Sequence, residues 1–233
     1  MIKLMKKKWK EYTIELFLVM LGIVIPFLTY KINDNCRKNK QSKEYTQMLI
    51  LDLNEDLKIL VSNLDSINSD KKCIIQYLTI DSSKIPIQSV ELQIKSLVTK
   101  IVKYYHFIPM NSTFKDLEST GNISLIKSIS AKRSLFQYYR LAELELRMED
   151  SYGQEIEQYL KPAILKSFPI RRLSQYDFWY ERSPRFPIKI DEITNNVDFE
   201  NCLLIKIDHL NNMKLIYQAL IEANKSTIKA LEQ

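Results

Sequence analysis

One apolar run near the start limits what this chain can become. From Ile14 to Tyr30 the residues read IELFLVMLGIVIPFLTY, with Lys3, Lys6, Lys7, Lys8 and Lys10 before them and Lys31, Arg37, Lys38, Lys40 and Lys43 after. At a rise of about 1.5 Å per residue the run covers roughly 26 Å, and extension to Ile32 gives roughly 28 Å, close to a bilayer's hydrocarbon thickness. The run closes on Phe27-Leu28-Thr29-Tyr30, without the small residues at which a signal peptide is cut. The expectation is a basic tail over 1–13 and an uncleaved helical anchor over 14–32. Trp9, Tyr12 and Tyr30 stand at its two ends, where amphipathic rings favour the headgroups.

The net charge of +6 and pI near 9 invite a nucleic-acid reading, which the charge distribution removes. Residues 1–43 hold ten Lys or Arg against Glu11, Glu15 and Asp34, whereas the remaining 190 residues hold 24 basic and 25 acidic side chains. The basic excess sits beside the membrane, where anionic headgroups attract it, and the remainder lacks the footprint that phosphate binding needs. The expected partners are the lipid bilayer, a second copy of the chain and a further protein, with no nucleic acid. Cys36, Cys73 and Cys202 share no metal-ligand spacing and read as unpaired thiols.

Beyond the anchor only Gly121 and Gly153 remain of three glycines, too few for a sheet protein rich in tight turns. Helical periodicity takes over. Tyr45, Leu49, Leu53, Leu57, Leu60, Leu64 and Ile67 form one stripe of a long helix, with Asp52, Glu55, Asp56 and Lys58 on its other faces. No Pro or Gly lies between Lys31 and Asp81, so this helix is expected to run straight out of the anchor. A loop over Thr79–Pro86, a cap at Ser89 and a second stripe from Val90 through Tyr105 to Pro109 follow. Thr113 and Asp116 are spaced as a capping box, and Gly121 reads as a C-terminal stop. Residues 130–160 predict a third helix with Leu135, Tyr138, Tyr139, Ala142, Leu146, Tyr152, Ile156 and Tyr159 inward. Residues 198–233 predict a final helix of about 35 residues whose heptad-like pattern suits lateral packing. The fold class expected is all-α: a transmembrane helix continuing into an elongated bundle of three to four long helices over 33–233.

Three groups of residues stand out as candidate sites. In the anchor, Glu15 is an ionisable group at the edge of an apolar span, costly unless solvated or paired, and Gly22 with Pro26 offers close packing or a kink. In mid-chain, Phe114, Leu117, Gly121 and Asn122 read as a structural corner. Over 169–187 three prolines interrupt a stretch carrying Arg171, Arg172, Tyr176, Phe178, Trp179, Tyr180, Arg182, Arg185 and Phe186; this irregular excursion has the composition of an interface hot spot. A brief extended piece is expected at Ile188–Ile193. Catalytic signatures are absent from the sequence. His106 and His209 occur in no metal or hydrolase motif, and Glu143, Glu145, Glu149 and Asp150 are spaced for a solvated helix face. No catalytic residue, metal ligand or cofactor is expected.

Glu15 at the opening of the apolar span, Gly22-Ile23 within it, Ile32-Asn33 after it, and Phe114, Leu117 and Ser119-Thr120-Gly121-Asn122-Ile123 in mid-chain together resemble a family of small uncharacterised bacterial single-pass membrane proteins, a domain of unknown function. Pro26 departs from that pattern. The resemblance implies the topology, an N-terminal anchor in the bacterial inner membrane followed by a helical domain, and implies no activity. The denser basic cluster on the short tail points the helical domain away from the cytoplasm. The function expected is a non-enzymatic membrane-anchored scaffold or sensor module that self-associates. The alternatives are an effector or immunity-type protein acting through anchor oligomers, and a cryptic hydrolase, which would need a pocket gathering His106 or His209 with two carboxylates.

Overall fold

The first helix, α1, is unbroken from Ile2 to Thr79, 78 residues, a rod of roughly 117 Å. The computed structural model describes residues 2–79, 93, 96–167 and 196–233, with side chains from Glu15 onward. The loop before Pro86, the Ser89 cap, the 169–187 excursion and the extended piece at Ile188–Ile193 lie outside the described residues. Among the described residues every regular element is helical: a turn at 96–101, α2 (Ser112–Ser119), a 3-10 turn (Asn122–Leu125), α3 (Ile129–Glu155), a π turn (Ile156–Leu160), α4 (Lys161–Ser167) and α5 (Val197–Leu231). The all-α bundle with a long apolar N-terminal helix is the architecture the periodicity implied.

Helix α1 stays continuous because nothing between Lys31 and Thr79 interrupts its hydrogen bonds; Pro26 lies inside it. The Thr29 hydroxyl donates back to the carbonyls of Ile25 and Pro26 at 3.1 and 2.9 Å. From Glu15 on, α1 is long and apolar enough to cross a membrane, with mean hydropathy 1.8 over its most apolar 18 residues and none of them buried.

Further along, the buried face of α1 is Leu49, Leu53, Asp56, Leu60, Ile67, Asp70 and Ile74, with half-buried Asn63 between. Steps of four and three alternate along this seam, the spacing that keeps one line facing a neighbouring helix. The sequence stripe differs. Its first steps are all of four residues, each turning the face by about 40°, so Leu57 drifts to a half-buried flank and Asp56 takes the inward place.

Helix α5 runs antiparallel to α1. The Tyr77 ring meets Phe199 edge-on at 6.1 Å near one end, and Asn224 Nδ2 donates to the Leu53 carbonyl at 2.9 Å near the other. Helix α3 begins on Ser128, whose hydroxyl accepts from the Ala131 N–H. Its inward face includes Leu135, Tyr138, Tyr139 and Ala142 as expected, but also Glu145 and Glu149; Leu146 and Tyr159 are exposed. Pro162 has no N–H to continue α-helical bonding. The chain passes it through the wider π turn, in which the Lys161 N–H bonds Ile156 O.

The second stripe does not form a helix to Pro109. Helix stops at 101, and residues 103–111 run without regular structure, although Tyr105 and Phe107 are buried. An extended strap thus takes the place of a fourth long helix. At its end, α2 is capped by Asn111 without a side-chain bond rather than by a Thr113–Asp116 box; Thr113 is buried inside it. Gly121 follows with φ +70°, a left-handed backbone that favours glycine. A Cβ there would meet nothing within 4 Å, so Gly121→Ala carries a backbone cost alone. Thermal unfolding should show a loss of about 1 kcal/mol.

Candidate functional site

A backbone running extended through a helical bundle has no neighbouring strand to accept its N–H groups, and buried unpaired ones are costly. The strap solves this with side chains from all three long helices. The Met110 N–H donates to Asp56 Oδ1 of α1 at 2.8 Å, and the Phe107 N–H to Glu149 Oε1 of α3 at 3.1 Å. Asn63 Nδ2 donates to the His106 carbonyl at 3.1 Å, the Tyr139 hydroxyl to the Met110 carbonyl at 3.0 Å, and Lys206 Nζ of α5 to the Lys103 carbonyl at 2.8 Å. Asp56, Asn63 and Asp70 follow each other at intervals of seven on α1, so all three face the strap. Buried Asp56, Asp70, Glu149 and Lys206 are therefore fittings of an extended segment.

Each rung has its own electrostatics. At the first, the Tyr138 hydroxyl donates to Asp56 Oδ2 at 2.7 Å. Burial pushes the Asp56 carboxyl up, against the pull of the Met110 and Tyr138 donors, with Asp52 adding to the rise. At the third, burial alone would raise Asp70, yet Lys100 at 2.5 Å and the Tyr105 hydroxyl outweigh it and hold the carboxyl below its ordinary value. Lys206 is fully buried; burial lowers its ammonium to about 8, with Asp70 opposing and Lys103 assisting.

The middle rung is the most unusual. Glu149 accepts from Phe107 N–H and, at 3.3 Å, from the Tyr217 hydroxyl, and lies 3.2 Å from His106 Nδ1. Glu145, one turn earlier, is 0 % exposed, and neither of its oxygens has a donor. Burial first, then the neighbouring Glu149 carboxyl, pushes Glu145 up to about 9. At neutral pH it is held protonated, because a charged Glu145 would be both desolvated and repelled beside Glu149.

Sequence reasoning missed these groups because periodicity finds inward residues by their hydrophobicity, and here the inward residues are acids. The detectable signal was the seven-residue interval of Asp56, Asn63 and Asp70.

This rung brings His106 together with two carboxylates. Both carboxyl groups are enclosed, however, and Glu149 already accepts from the Phe107 N–H of the strap. Among the described residues no group of three or more His, Cys, Asp or Glu is placed to hold a metal ion. His209 is buried and stacked on Tyr152 at 3.6 Å; burial and the Lys206 charge lower it to about 3, which keeps it neutral.

The expected sites fall in separate places. Glu15, Gly22 and Pro26 lie on the exposed apolar part of α1, and a Cβ at Gly22 would meet nothing within 4 Å, so no packing inside the chain requires that glycine. Phe114 and Leu117 are buried at the corner, where Phe114 stacks on Tyr139 at 4.3 Å, and Gly121 leads into the 3-10 turn at Asn122. The Ser42 hydroxyl donates to the Leu125 carbonyl at 2.7 Å and the Tyr45 hydroxyl to Asp116 at 2.6 Å, fastening the corner to α1. Arg171, Arg172, Tyr176, Phe178, Trp179, Tyr180, Arg182, Arg185 and Phe186 lie outside the described residues. Cys36 is exposed, Cys73 half-buried and Cys202 buried. Comparison with protein-family models, curated proteins and solved structures finds no match for this chain.

Proposed function

We propose that this protein is a single-pass inner-membrane scaffold or sensor module without enzymatic activity, whose helical domain stands outside the cytoplasm and which works as a homo-oligomer. The observation that carries the reading is the continuity of α1: one helix holds both the exposed apolar stretch and the inner seam of the bundle. Without a hinge between them, a change in how the strap or α5 packs on α1 moves the membrane segment as well, a rigid-body route for a signal. Asp56, Asp70 and Glu149 support the same reading, because they are engaged in holding the strap rather than presented to a substrate.

The test is made on the full-length chain in membranes. The protein should remain in the pellet after alkaline carbonate extraction and, once solubilised, should have the mass of more than one chain. Glu15→Gln should leave that mass unchanged, whereas an effector acting through its anchor would lose its activity. Recovery of the chain in the carbonate supernatant would overturn the membrane reading, and a monomeric mass the self-association.

A further inference from the structure

We infer that the end of the bundle nearest the apolar span is a second membrane contact, a basic base that docks on anionic lipid headgroups. The inference rests on the membrane-spanning reading above and goes beyond it, since it assigns a lipid-binding role to residues more than eighty positions after the span.

The first support is placement. Lys127 Nζ donates to Asn39 Oδ1 at 2.8 Å, and together with the Ser42 and Tyr45 bonds this pins 111–133 against the first stretch of α1 beyond the span. Asn39 follows Ile32 by only about 10 Å of helix. The headgroup layer is itself roughly 5–7 Å deep, and charges act over about 8 Å at physiological salt. The Lys127 end of the base is within electrostatic reach of the surface, and Tyr45, which holds Asp116, stands about 20 Å of helix beyond Ile32.

The second support is charge. Residues 31–45 and 111–133 together hold nine Lys or Arg against four Asp or Glu, whereas 46–110 and 134–233 hold 20 against 22. The molecule is polarised, positive at the end facing lipid and slightly negative beyond it. Lys43, Lys115, Lys127 and Arg133 are exposed, and among the described residues none of the four is ion-paired. Unpaired cations at this height suit phosphate-bearing anionic headgroups, each attracted by about 1 kcal/mol when near the surface.

Hydrogen exchange of the 111–133 amides, in full-length protein reconstituted into phosphatidylcholine vesicles with or without phosphatidylglycerol, tests this. Exchange should be about tenfold slower with the anionic lipid. The difference should vanish at 1 M salt, where screening shortens to about 3 Å, and in the triple variant Lys115→Gln, Lys127→Gln, Arg133→Gln. Equal exchange in the two lipids, with the protein inserted, overturns the inference. So does a difference that survives in a triple variant whose helical circular dichroism matches the unmodified chain. Failure of the chain to resist carbonate extraction is a separate result, and removes the spanning reading itself.

Discussion

Replacing Asp56 with alanine should cost about 3 kcal/mol of stability, more than the loss of half-buried Leu57 beside it. The carboxylate accepts from the Met110 N–H and the Tyr138 hydroxyl and is completely buried. Its removal leaves two donors without partners, at about 1–3 kcal/mol each, and frees the strap at its first rung. Asp56→Asn keeps one acceptor oxygen and should lose only about 1 kcal/mol. Leu57→Ala removes a larger apolar side chain from a half-buried flank and should cost about 1 kcal/mol. Denaturant midpoints of the detergent-solubilised chain, read by far-ultraviolet circular dichroism, give the order. A Leu57→Ala loss equal to or above that of Asp56→Ala would show that the strap is not held by this carboxylate.

Raising the pH from 6.5 to 8 should destabilise the bundle by about 1 kcal/mol. The folded Glu145 carboxyl titrates near 9 against 4.5 as its ordinary value. Across that interval the folded state keeps a proton that the unfolded state has released, so stability falls as pH rises. Below 6.5 the buried His209 works in the opposite sense. It is lowered to about 3, so the unfolded chain binds a proton that the folded chain refuses, and the two slopes nearly cancel down to about 4.5. Above 8, Lys206, lowered to about 8 by burial, cancels Glu145 from the other side. Between 6.5 and 8 the carboxyl therefore has the largest slope, with the other two groups opposing it only at the edges of the window. Glu145→Gln should flatten the profile there and leave the acid limb intact. A native profile that is already level from 6.5 to 8, or a variant that retains the slope, would contradict a protonated Glu145 at the middle rung.

The strap explains why so much of this bundle's polar chemistry was hidden from periodicity. A stripe of leucines and isoleucines announces a helix face, and the long helices α1, α3 and α5 were legible in that way. Tyr105 was legible as an inward residue too, but helical spacing could not reveal that its backbone leaves the helix, and it passed over Phe107. The helical stripe ends at Tyr105, and Phe107 lies two positions on, the period of an extended backbone; Pro109 also disfavours α geometry at the residue before it. Once the segment is extended, its N–H and C=O groups need partners, and Asp56, Asn63, Glu149 and Lys206 follow as necessities. The corner was readable for a different reason: a glycine at φ +70° is a local requirement, visible wherever a helix must stop and turn.

The sequence by itself determined the apolar span, the continuity of α1 beyond Lys31 and the helical class, because hydropathy, the absence of Pro and Gly between Lys31 and Thr79, and 3.6-residue periodicity are local properties. Only the tertiary structure decided which acids lie inside and which residues form the base of the bundle. Both depend on partners far along the chain, Glu149 with Phe107 and Lys127 with Asn39, and a buried charge is stable only where such a partner meets it.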